Sequence, residues 1–397
     1  MKKILLLMAA FALLSVAPSC ESDDTDFSQI IADHDTVSIR NIQFNDAEVE
    51  DSAEQIPTDI ADEYFDDYIE NQELNRVVNI AFNGEDATVS GDLTRCRILQ
   101  NGAHLTVYIT GKKVYLKVSG STRNGSIKVY GENKFGIELC NASIHNPHGA
   151  AINSQNKKRM YVVLAEGSRN VISDGADYID TEGEAQKATI FSEGKIIVSG
   201  KGMLQVDAQA RAGIASDDYV RLRPGVHTQI ISHGTHCIRA NDGVMIDGGV
   251  HNLETFGNAA RGIRCEAFVK MKSGRTTVIT HGASVIEDID TTGAAAVKAD
   301  SIVMVSGGEL RLKSTGEGGK GINAADYVQT GGTVMVLTLG ENGLSSPKGV
   351  KSDSRITIEG GSFYSYSVNS YAIEGTLVLK PGAKKHLTAK RYHIVEY

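Results

Sequence analysis

The chain has 397 residues, 41% of them hydrophobic, and a formal net charge of −9. That length exceeds any small module stapled by disulfides or a metal, and the five cysteines show no metal-type spacing. The acidic balance gives no reason to expect a nucleic-acid partner.

The chain opens on Lys2 and Lys3, followed by the apolar run ILLLMAAFALLSVA. The run is short for a membrane span and ends at Pro18-Ser19-Cys20, which predicts a secretion signal over 1–19. A cysteine directly after small residues predicts a bacterial lipoprotein. Cys20 would be the acylated first residue, and the outer membrane or cell surface the location. An ordinary signal peptide with Cys20 inside or near it is the alternative. The next stretch, ESDDTD, resembles the surface-export tether of Bacteroidota lipoproteins.

Between Glu21 and Asn75 there are 18 acidic residues and one arginine. Residues 20–75 therefore read as an acidic, mostly flexible tether. Within it Ile60, Tyr64 and Tyr68 recur every four residues, a spacing that allows a short helix. Loss of the two signal lysines takes the net charge to −11, which leaves +6 for residues 76–397. The tether could also fold back on that positive region.

Residues 76–397 repeat. GIASDDYVRL at Gly213 returns as CIRANDGVMI, GIRCEAFVKM, AVKADSIVMV, GINAADYVQT and GVKSDSRITI, with TIFSEGKIIV and a degenerate AINSQNKKRM before it. Anchored on the branched residue, copies fall at Ile152, Ile190, Ile214, Ile238, Ile263, Val297, Ile322, Val350 and Ile373. Short gaps run from 23 to 25 residues, and gaps of 38, 34 and 28 imply inserted loops. Within a unit, Ile214 and Ser216 point inward and Ala215 outward, a turn follows at the acids, and Val220 and Leu222 point inward. A glycine turn and a third strand complete it. Three short strands and three turns in about 24 residues predict one coil of a parallel β-helix, an all-β solenoid. Forty-one glycines and six prolines suit its corners and strands.

Equivalent positions of successive coils stack about 4.8 Å apart, so the repeat can be read as columns. The column three after the anchor holds Glu193, Asp217, Asn241, Glu266 and Asp300, and Asp218, Asp242 and Asp326 come one position later. Like charges at that spacing repel. Arg239, Arg264, Lys298 and Lys351 lie two before the column, so pairs such as Arg264–Glu266, Lys298–Asp300 and Lys351–Asp353 are expected. Phe191 and Ala215 stand there in two other coils. Glu193, Asp217, Asp218, Asn241 and Asp242 therefore form a candidate calcium site, with Asp326 a second candidate. The alternative is that Asp and Asn only favour turns.

NGSIKVYGENKFGIELCNASIHNPHGAAINSQNKKRMYVVLAEGSRNVISDG, from Asn124 to Gly175, together with IFSEGKIIVSGKGMLQVDA and GIASDDYVRL, resembles a carbohydrate-binding right-handed β-helix family typified by a clostridial protein. The resemblance covers Val77 to Tyr397. It implies a pectate-lyase-like fold, bound calcium, and binding of cellulose or polygalacturonate without a demonstrated catalytic role. Asp217, Asp218, Asn241 and Asp242 match the acid-bearing corner. Arg264-Cys265-Glu266 and Ala325-Asp326 depart from it.

Three functions are consistent with these residues. The first is a glycan-binding surface protein. Arg239 and Arg264 would favour uronate-rich polysaccharide, calcium would bridge a sugar carboxylate, and Tyr364, Tyr366 and Tyr371 offer the best aromatic cluster in a chain without Trp. The second is a uronate lyase or a hydrolase. The sequence assigns no catalytic residue: neighbouring strand acids point to opposite faces, which makes Asp217 and Asp218 an awkward acid–base pair. The third is a passive adhesin or scaffold.

Overall fold

A computed structural model describes residues 51–396. Cys20, the signal and the first part of the tether lie outside the described residues. Among the described residues no helix is long and apolar enough to cross a membrane.

Ala212–Ser216, Tyr219–Leu222 and His227–Ser232 are the three strands of one coil. Each pairs in parallel with its counterpart one coil on. The pattern repeats for about eleven turns of about 25 residues. All nine anchors stack in register, from Ile152 opposite Ile190 through to Val350 opposite Ile373. The ladder also continues two coils earlier, through Ile127 and Leu105. Ile214, Val220 and Leu222 are fully buried, in one aliphatic core running from Val78 to Leu377. Burying each such side chain contributes roughly 1.5–3 kcal/mol, which is what holds a coil with few local contacts in place.

The small column two after the anchor caps the first corner. Ser192 Oγ accepts from Gly194 N (3.1 Å) and Ser216 Oγ from Asp218 N (3.0 Å). Buried corner amides are thereby satisfied where the chain leaves the strand. Cys265 takes the same column, while Cys237 sits in another, and both are free thiols.

At the N-terminal end two strands fold back antiparallel. Ala87–Gly91 pairs with Arg76–Asn83, and Cys96–Asn101 with Ala103–Ile109. They cover edges that would otherwise template aggregation. The long gaps hold a loop over 175–187, an antiparallel hairpin of Val285–Glu287 and Asp290–Thr292, and a loop over 339–347. All three precede the anchor strand and so project from one corner.

Residues 51–75 lie against the solenoid. Tyr68 is buried and Ile60 is 82% exposed. The four-residue spacing forms no continuous helix there, only short 3-10 turns at Phe65–Asp67 and Ile69–Asn71. The segment is a strap across the second-strand face. Tyr64, Ile69 and Leu74 pack on Tyr161, Ile197, Tyr219 and Met245. Its acids meet arginines. Asp67, 0% exposed, accepts from Arg159 Nε (2.7 Å), Arg221 Nη1 (2.9 Å) and the Tyr219 hydroxyl. Arg223 is held between Glu54 and Glu70, each contact between 2.9 and 3.1 Å. Asp51 accepts from the amides of Gly225 and Gly249.

Removing one member of a buried ion network leaves the others charged and unpaired, which costs about 3–5 kcal/mol. Asp67→Ala is expected to lose that much in denaturant or thermal unfolding. An unchanged melting temperature would mean that the strap contributes nothing to the fold.

Candidate functional site

The corner between the first and second strands runs the length of the solenoid. Its loops stack through backbone bonds such as Glu193 N to Ser154 O and Asp217 N to Ser192 O, both 3.0 Å. Their charge changes sign along the axis. Four early corners carry Lys112-Lys113, Lys134, Lys157-Lys158 and Lys195. Four later ones carry Asp217-Asp218, Asn241-Asp242, Glu266 and Asp300.

The basic half forms a cleft of about 550 Å³. Seven Lys and Arg residues from Lys112 to Lys195 line it against four carboxylates, Glu132 and Asp218 of the corners and Asp66 and Glu73 of the strap. Local chemistry sets the spacing. The amide of the buried Asn156 donates to Asn133 O (2.7 Å), and its side-chain oxygen accepts from Lys158 N (2.9 Å). One coil on stands Gly194, where a Cβ would lie 2.3 Å from Lys158 O. Only glycine lets the two corners approach so closely.

Some of these cations have partners. Lys134 Nζ meets Asp66 at 2.7 Å and Lys113 meets Glu73. Lys195 lies 3.8 Å from Asp218 and 4.8 Å from the centre of the Tyr219 ring. Lys112, Lys157 and Lys158 are exposed and make no ion pair among the described residues. The cleft thus presents three free ammonium groups beside a fixed guanidinium.

The acidic half corrects the expected charge balance. The Asp217–Asp218 corner does not lack a base. Lys187 pairs with Asp217 and Lys195 approaches Asp218. The sequence columns missed both, because Lys187 precedes the anchor strand and Lys195 comes from the coil before. Burial raises the Asp218 carboxyl above its ordinary value, Lys195 opposes this, and Asp242 adds to it. Both Asn241 N and Asp242 N donate to Asp218 O. Glu193 stacks one corner earlier, on the coil of Lys195. Among the described residues no three His, Cys, Asp or Glu side chains converge as a metal cage.

Asp326 is not at this corner. It pairs with Ile302, in the column of Tyr219, Gly243 and Phe268. Lys320–Gln329 runs on as one strand where the earlier coils turn, so the alignment slips by one residue. Asp326 Oδ1 accepts from Arg355 N at 3.2 Å.

Arg239 and Arg264 are adjacent on the outward first-strand face. Arg264 reaches Asp300 on the next coil (2.7 Å) and not Glu266, while Lys298–Asp300 (3.2 Å) and Lys351–Asp353 (3.0 Å) pair as expected. Tyr364 is buried and shares the third-strand face with Tyr366. Tyr371 stands opposite Lys348 on the first-strand face, so the three tyrosines do not form one platform. The sequence reading passed over two aromatic stacks. Tyr108 and Tyr130 stack at 5.2 Å, before the first recognised repeat. His233, Phe256 and His281 stack one coil apart, at 5.2 and 4.7 Å.

No curated protein matches the chain. Among solved structures, a polysaccharide lyase-like protein from C. thermocellum, studied as a gadolinium derivative, matches at 16% identity and a TM-score of 0.36. The match covers 80% of this chain and 96% of that one. A likeness that weak carries no argument about this chain. A family model described as carbohydrate-binding domain-containing protein matches residues 101–383, nearly the whole solenoid. The chain belongs to that family of carbohydrate-binding domain-containing proteins.

Proposed function

We propose that the protein is a cell-surface polysaccharide-binding protein, lipid-anchored through Cys20, whose basic corner cleft takes uronate-rich chains. One observation carries the reading: Lys112, Lys157 and Lys158 stand exposed and, among the described residues, unpaired beside Arg159 in a cleft of about 550 Å³. Cations gathered in a concave, low-dielectric wall focus their field on a polyanion, and lysine meets a carboxylate as a compact point charge. Corners repeat at the coil spacing of about 4.8 Å, so successive lysines suit a linear polymer laid along the axis. Arg239 adds a positive charge on the outward first-strand face beside the acidic corners, where Arg264 is taken up by Asp300.

Calcium is a second part of the proposal. Asp218, Asn241 and Asp242 are the residues that would hold it, with a sugar carboxylate completing the oxygen shell. The mutual repulsion of Asp218 and Asp242 supports this smaller set. Asp217 is left out because Lys187 already neutralises it.

The test of binding is retention on polygalacturonate, cellulose and a neutral glycan panel at low and high salt. Lys157→Ala with Lys158→Ala is expected to weaken polygalacturonate binding about tenfold and to flatten its salt dependence. Unchanged retention would move the site elsewhere. Unsaturated products or new reducing ends would make the protein a lyase or hydrolase, and no retention on any glycan would leave a scaffold.

For calcium, the wild-type melting temperature is expected to rise with added ion and to fall back with chelator. Asp218→Asn with Asp242→Asn should abolish the shift. The same shift in that variant would refute the site.

A further inference from the structure

The outward first-strand face carries a second set of cations, and most of them are accounted for. Asp300 serves Arg264 and Lys298, Asp353 serves Lys351, and Glu374 serves Lys348. Among the described residues Arg261 and Lys320 make no ion pair: burial, then Arg264, lower the Arg261 guanidinium from its ordinary value, and Glu287 and Asp300 only partly offset them. Their positions are linked by register, Arg261 opposite Ala295 and Ala295 opposite Lys320. Two long cationic side chains therefore flank one small residue, two coils apart.

Lys320 is largely shielded from water, and Arg261 is half-buried with its Nε inside. Arg261 Nε is buried and without a hydrogen-bond partner among the described residues. Lys320 is 8% exposed, and its ammonium reaches only neutral acceptors, Gly318 O at 3.3 Å and Ser345 Oγ at 3.5 Å. A buried charge without a counter-ion is costly, and structures rarely keep one. Next to Arg261, His236 Nδ1 accepts from the Arg261 amide (3.1 Å). Burial and the arginines at 261, 239 and 264 hold His236 down to about 3, so it stays neutral and adds no positive charge of its own. Burial, then Lys348, Lys351 and Arg261, bring Lys320 down to about 8, against a pull upward from Glu374.

The two insertions frame this place. The hairpin of Val285–Glu287 and Asp290–Thr292 leads directly into Ala295, and the 339–347 loop supplies Ser345. Ser284 Oγ and Ser345 Oγ lie 2.8 Å apart, and Ser345 Oγ also donates to Gly318 O (3.0 Å), which ties both loops above Lys320. Excess positive charge, a buried donor without a hydrogen-bond partner among the described residues and two fixed walls together favour an anion here.

We infer that Arg261 and Lys320 form an oxyanion site that takes one carboxylate or sulfate group of an acidic saccharide on the first-strand face, apart from the corner cleft. The guanidinium gives a planar fork and the ammonium a point charge, which together suit a single oxyanion group. The inference deepens the reading of the protein as a binder of acidic glycans but names different residues, so each can fail alone.

The experiment uses the full mature chain carrying Lys157→Ala and Lys158→Ala, which silences the corner. Trigalacturonate, a sulfated trisaccharide and inorganic sulfate are titrated separately. Binding of a saccharide is expected, and Arg261→Met with Lys320→Met should raise its Kd about 10–100-fold, as expected for a lost charge-assisted contact. Lys320→Arg should keep most of the affinity. The trisaccharide that binds identifies the oxyanion as carboxylate or sulfate, and binding of inorganic sulfate alone would overturn the assignment to a saccharide. A second readout needs no variant at these two positions: ligand should move the Lys320 ammonium titration upward from about 8, followed by NMR of labelled lysine. Equal affinity with and without the Met pair, or a Lys320 titration that ligand leaves in place, would overturn the inference.

Discussion

A parallel coil places every side chain beside its counterpart one turn away, at about 4.8 Å. This single constraint organises the molecule. An apolar column gains burial at every rung, which is why Leu105 through Ile373 can be one uninterrupted ladder. A charged column pays repulsion at every rung unless something alternates the sign or brings in a partner from elsewhere. The chain uses both means. Arg264 reaches across to Asp300 on the next coil, and Lys187 comes from outside the column to meet Asp217.

Where neither remedy is complete, the surface is left with charge to offer. Among the described residues the early corners keep Lys112, Lys157 and Lys158 without ion pairs, and the first-strand face keeps Arg261 and Lys320 so. The second-strand face shows what a full remedy looks like. There Arg159, Arg221 and Arg223 are matched by Asp67, Glu54 and Glu70 of the chain's own strap. The protein's own carboxylates thus show how a stacked cationic face binds an acidic strand: paired acids on the arginines and apolar rings between them. An acidic glycan would meet the same kind of face at the corner, without the apolar contribution.

Much of the fold was legible because a coil repeats its pattern. The branched anchor, the small residue two on and the glycine turns recur, and all nine anchors read from sequence stand in register. Ile127 and Leu105 were missed because the earlier coils share the geometry without the motif. The site was less legible. Column reading assumes that a charge is balanced within its own column, and Lys187 is not in the column of Asp217. It also assumes equal corners, and Asp326 slips because its coil passes through the corner as one strand. Composition alone treats an acidic stretch as solvated. The arginines that bury Asp67 lie far along the chain, at positions 159 and 221, and only the coil brings them together.

Hydrogen exchange of the full chain with and without oligogalacturonate decides whether the basic corners take an acidic polysaccharide along the solenoid axis. Binding there is expected to bring new protection at residues 132–134, 157–159 and 193–195, on adjacent corners and weakened by salt. Protection confined to the third-strand face, or none at a concentration that saturates binding, would contradict it.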